Sequence, residues 1–100
     1  MASGIYAQVD LAASTNTTVF TITTFGVYNV RFCNRNSTPV QVRLAYAATG
    51  TPTGAEYVEY GETIPANGAL EEQGVAIQAG KLIVAYSNTA NVSVAVWGIE

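Results

Sequence analysis

Lys81-Leu82-Ile83-Val84-Ala85-Tyr86-Ser87 and Asn91-Val92-Ser93-Val94-Ala95-Val96-Trp97-Gly98-Ile99, separated only by Asn88-Thr89-Ala90, decide the fold. Both runs are rich in β-branched and aromatic residues, which suit a pleated surface. Side chains in a strand alternate between faces with period two. Read as a hairpin with Tyr86 opposite Val92, the pair places Leu82, Val84, Tyr86, Val92, Val94 and Val96 on one face, a core face. The other face carries Ile83, Ala85, Ala95, Trp97 and Ile99, relieved only by Lys81, Ser87 and Ser93. A solvated face of an antiparallel sheet is expected to be polar. These outward residues are therefore candidates for a subunit interface, with Trp97 as its anchor and Ile83, Ala95 and Ile99 around it.

Working outward, the same alternation recurs. Ile5 to Leu11 sets Ile5, Ala7, Val9 and Leu11 against Tyr6, Gln8 and Asp10. Thr17 to Thr24 is a second strand, Val27 to Cys33 a third and Val40 to Ala47 a fourth. Pairing the third and fourth as a hairpin with Phe32 opposite Val42 collects Tyr28, Val30, Phe32, Val42, Leu44 and Tyr46 on one face, the register that burial favours. It also sets Arg31 opposite Arg43, which requires an acidic neighbour such as Glu56, Glu59 or Glu62, from this chain or an adjoining copy. Arg31 and Arg43 thereby join the candidate interface.

Ala48 to Ala55 holds two glycines and a proline and reads as a loop. Glu56 to Ile64 reads as a strand rather than a helix, because Gly54 and Gly61 bracket a span too short for one. Asn67-Gly68 is a strong hairpin-turn signal. Ala69 to Gln73 and Val75 to Gln78 follow as short strands before the closing pair. Turn signals spaced this closely, with no helical period, predict one all-β domain over residues 1–100, an antiparallel sandwich of about seven to nine strands, immunoglobulin-like or jelly-roll-like.

Composition narrows the function classes. Charged residues are 11% of the 100-residue chain and AVILMFWYC residues 49%, so little of the surface is reserved for water. A net charge of −3 offers no basic stripe, which argues against a nucleic-acid partner. No apolar run approaches the ~18 residues of a membrane helix, and Met1-Ala2-Ser3-Gly4 does not open a secretory signal. There is no histidine, and the single Cys33 excludes an internal disulfide and the usual zinc sets. Ser and Thr lack the customary base for nucleophilic catalysis, and Cys33 reads as a space-filler. Glu71 and Glu72 point to opposite faces of their strand, leaving a carboxylate pair possible only across strands. Glu56, Glu59 and Glu62 lack the ligand spacing of a calcium loop and read as solvated or arginine-paired. Neither catalytic, metal nor cofactor residues are expected. Tyr6, Tyr57, Tyr60 and Trp97 could form a sugar-binding platform, against the plainer reading of core and subunit contacts.

Val30-Arg31-Phe32-Cys33-Asn34-Arg35-Asn36-Ser37-Thr38-Pro39-Val40, the Ala47-Ala48-Thr49-Gly50-Thr51-Pro52 loop and Glu56-Tyr57-Val58-Glu59-Tyr60 resemble small accessory virion proteins of tailed bacteriophages, cyanophages among them. Gly74 to Lys81, Ala90 to Val94 and Gly98 to Glu100 are similar to the same family's C-terminus. The resemblance spans Val30 to Glu100 and rests on structural motifs without a chemical signature. It implies a non-enzymatic virion protein, made in the host cytoplasm, that binds copies of itself, often as a trimer, and other virion proteins. A capsid decoration or cement protein on the major capsid lattice is the leading expectation, and a tail, baseplate or fibre subunit the runner-up. A carbohydrate-binding host-attachment module is the alternative of another class.

Overall fold

The computed structural model describes residues 3–100; Met1 and Ala2, the start of the segment read for a signal, lie outside them. Eight strands form, β1 (Ser3–Asp10), β2 (Thr17–Thr21), β3 (Gly26–Asn34), β4 (Val40–Ala47), β5 (Tyr57–Ile64), β6 (Ala69–Ile77), β7 (Leu82–Ser87) and β8 (Val92–Ile99). A single 3-10 turn, Gly54–Glu56, precedes β5. Two four-stranded antiparallel sheets, ordered β1-β8-β3-β6 and β2-β7-β4-β5, face each other. Only β4 and β5 are consecutive partners; every other connection passes from one sheet to the other. This order of eight strands in two sheets is the jelly roll.

β3 and β8 bury one face because their apolar residues recur with period two. Tyr28, Val30 and Phe32 on β3, Val42 and Leu44 on β4, and Val92, Val94 and Val96 on β8 all reach the space between the sheets, none more than 1% exposed. The aromatic end of that core is built by Tyr6, Phe20 and Tyr28, with ring centroids 5.5 to 6.0 Å apart.

Neither expected hairpin forms. Phe32 pairs with Val94 and Leu70 instead of Val42, and Tyr86 pairs with Arg43 instead of facing Val92. Two strands that each bury one face satisfy alternation equally well as edge neighbours or as facing partners across a core ~10 Å thick. The links after β3 and β7 are used in the second way. The turn at Pro65 to Gly68 is real, with the Gly68 N–H donating to the Pro65 carbonyl at 2.9 Å, but it also joins opposite sheets. The break expected at Gly74 is a bulge inside one continuous β6, with Gly74 at φ 65.

Separating β7 from β8 reverses the faces assigned to β7. Ile83 and Ala85 point into the main core, at 0% and 1% exposure. Leu82 and Val84 lie on the outer side with Ala45, Ala47 and Tyr57, in a second, smaller apolar cluster. Because β4 and β7 bury residues on both sides here, no polar face marks the outside, and the pattern alone could not orient β7.

Candidate functional site

The outer face of β1-β8-β3 carries the exposed apolar surface. Trp97 on β8 lies between Ile5 on β1 and Asn29 on β3, and Ile99 lies between Ser3 and Val27. Ile5 is 65% exposed, Ile99 50% and Val27 42%, and Phe25, just before β3, 60%. Trp97 is half-buried among these neighbours. Gly98 lets the backbones meet at this point, since a Cβ there would stand 2.1 Å from the Val27 carbonyl oxygen. Ala95 shares the face further along β8, at the side of a shallow recess of about 280 Å³ with Arg31 and Cys33 on its wall.

Of the apolar candidates, Ala95, Trp97 and Ile99 are thus brought together. Ile83 is removed from the surface, because it fills the core of the opposite sheet. Ile5 was placed on the core side by simple alternation, and a register shift between Ile5 and Ala7 turns it outward. Val27 was legible, since the face opposite Tyr28, Val30 and Phe32 must contain it.

Arg31 and Arg43 do not lie side by side. They sit on different sheets, because β3 and β4 face each other across the core. Arg31 is neutralised within the chain by Glu71 at 2.8 Å, not by any of the three glutamates expected. Hydrogen bonds from Gln73 and then Arg31 hold the Glu71 carboxyl below the usual range. Arg35 pairs with Asp10, and Lys81 approaches Glu56 at 3.8 Å. Glu56 is itself held below the usual range, first by the backbone N–H of Thr53 and then by that of Ala48. Arg43 makes no ion pair among the described residues; its guanidinium lies 4.4 Å from the ring centroids of both Tyr60 and Tyr86.

A carboxylate pair does form across strands. Glu59 on β5 and Glu72 on β6, edge strands of opposite sheets, share a hydrogen bond at the open side of the sandwich. That bond, followed by burial and the charges of Glu72 and Glu62, pushes the Glu59 carboxyl up to about 7. The buried Tyr46 hydroxyl has no hydrogen-bond partner among the described residues, and burial followed by the charges of Glu72 and Glu59 raises its pKa. No group of three His, Cys, Asp or Glu side chains among the described residues is arranged to hold a metal ion.

The Glu59 pair has a consequence for stability. A carboxyl raised above its ordinary value stabilises the fold fully below the ordinary range, and that contribution is lost as pH rises through about 7. Since the pair is partly exposed, screening leaves on the order of 1 kcal/mol, or a fall of about 4 to 8 °C in Tm between pH 5 and pH 8. Glu59→Gln should flatten the profile in thermal melts. A melt equally steep for the variant would place the pH dependence elsewhere.

The four aromatics proposed as a sugar platform do not share a surface. Tyr6 stacks on Phe20, Tyr57 meets Tyr60 edge-on at 4.9 Å, and Trp97 belongs to the other sheet. The fold and its surfaces define a jelly-roll sandwich with an apolar patch on one sheet and a tyrosine-clamped arginine on the other. Comparison with protein-family models, with curated proteins and with solved structures finds no match for this chain.

Proposed function

We propose that this chain is a non-enzymatic structural protein of a tailed-phage virion, acting as a capsid decoration or cement subunit. The observation that carries the reading is the apolar patch of Ile5, Val27, Trp97 and Ile99 on the outer face of β1-β8-β3. A cluster of exposed large apolar side chains on a sheet face marks a surface that another protein covers. Its occupant is a second copy of this chain within a trimer, the assembly that the resemblance of Val30 to Glu100 implies, and the trimer in turn sits on the major capsid protein. The jelly roll suits the task, since its buried sheets leave two broad outer faces free for contacts. Tail, baseplate or fibre placement is the runner-up.

Micrographs of phage particles labelled with antibody to this protein test the reading. Label on the heads is the expected result. Label confined to tails would transfer the protein to the runner-up, and unlabelled particles, with the protein left in the lysate, would sink both.

A further inference from the structure

We propose that the recess over Arg43 is a binding site for a carboxylated sugar. The inference does not depend on the virion reading, because it concerns the outer face of the other sheet. Arg43 stands in a row across three strands, paired with Tyr86 on β7 and Tyr60 on β5. The guanidinium carbon lies 4.4 Å from both ring centroids, so the group is held between two aromatic side chains. A guanidinium carries five N–H donors in a planar fork that matches a carboxylate edge to edge. Of the four cations in the chain, the other three have carboxylate partners. Arg43 alone among the described residues has its fork ordered yet unpaired with an acid.

The surroundings select the rest of the ligand. Arg43, Tyr60, Tyr86, Gln41, Asn88 and Gly61 line a recess of about 410 Å³, in the lower part of the roughly 300 to 1,000 Å³ usual for small-molecule sites. Asn88 is oriented by accepting the Gln41 backbone N–H at its Oδ1, 3.1 Å away. Its amide N–H groups and the exposed Gln41 side chain make no other hydrogen bond among the described residues, and so can meet sugar hydroxyls. Gly61, at φ 76, leaves the rim open: a Cβ there would touch nothing within 4 Å. An ordered guanidinium, two aromatic walls and free amides together fit a hexuronate, whose carboxylate takes the fork while its ring hydroxyls take the amides.

The test is amide-resolved NMR of the full chain, titrated at one ionic strength with methyl β-D-glucuronide, methyl β-D-glucoside or sodium acetate. The glucuronide should shift the signals of Gln41, Gly61, Asn88 and the Arg43 side chain saturably, and bind about ten-fold tighter than either control. Arg43→Lys keeps the charge but loses the fork, and should weaken glucuronide binding by about ten-fold while leaving signals elsewhere in place. Tyr60→Leu, which removes one wall without touching the charge, should also weaken it. Acetate binding as tightly as the glucuronide would reduce the site to a bare anion contact and overturn the proposal. So would equal binding of the neutral glucoside, no saturable shift, or shifts of these signals with protein concentration alone, which would give the face to another copy of the chain.

Discussion

Truncating Ile83 to alanine should destabilise the protein by about 2 to 5 kcal/mol, the range for removing a large aliphatic side chain from a packed core. Ile83 is fully buried in the main cluster between the two sheets. The same truncation at Leu82, half-buried in the outer cluster, should cost about 1 kcal/mol, in proportion to the smaller apolar area withdrawn from water. The comparison matters more than either value, because a β7 paired to β8 in a hairpin reverses the order. Urea unfolding of the two variants with unchanged slopes decides it. A larger loss at Leu82 than at Ile83 would overturn the jelly-roll topology at its most consequential strand.

Replacing Asn34 by alanine should cost about 3 kcal/mol, although the residue is polar and sits at the end of a strand. Asn34 is 1% exposed. Its amide nitrogen donates to the carbonyls of Thr38 at 2.9 Å, Pro65 at 3.0 Å and Ile64 at 3.3 Å. Its Oδ1 accepts from the backbone and side-chain nitrogens of Asn36, at 2.9 and 3.0 Å. One side chain thus ties the β3–β4 crossing to the β5–β6 crossing, and removing it strands backbone groups where water has little access. Asn34→Asp should be worse at neutral pH, since it loses the donors and points a charge at carbonyl oxygens. If both variants unfold at the urea concentration of the wild type, the network contributes nothing net.

Much of the fold was legible from alternation. β3 and β8 keep a strict period of two, and β4 keeps it from Val40 to Leu44, so Tyr28, Val30, Phe32, Val42, Leu44, Val94 and Val96 could be assigned to the core from sequence, and all are buried there. Strand partners were not legible, because alternation records which face is buried and says nothing about which strand lies alongside. A short link such as Ser87 to Asn91 serves a hairpin or a crossing between sheets equally well, and only the global order of strands chooses. Asn34 escaped notice for a related reason. Asn beside Arg35, Asn36 and Ser37 reads as a solvated link, whereas its side chain replaces backbone partners lost where the chain leaves the sheet. The interface candidates divided along the same line. Trp97, Ala95 and Ile99 needed only the phase of β8 and lie outward, while Ile83 depended on the β7–β8 hairpin and the Arg31 and Arg43 pair on the β3–β4 hairpin, neither of which forms. Ile5 was hidden by a bulge, which leaves no mark in a period-two pattern.

Sedimentation velocity of the wild type and of Trp97→Ala, each over a wide concentration range, tests assembly through the β1-β8-β3 face most directly. If the proposed trimer forms by burying Trp97 with Ile5, Val27 and Ile99 against another copy, the wild type sediments as a trimer and the variant as a folded monomer, with strand content and unfolding midpoint changed little once the lost assembly is allowed for. A wild type that remains monomeric at every concentration, or a variant that assembles as the wild type does, would contradict it.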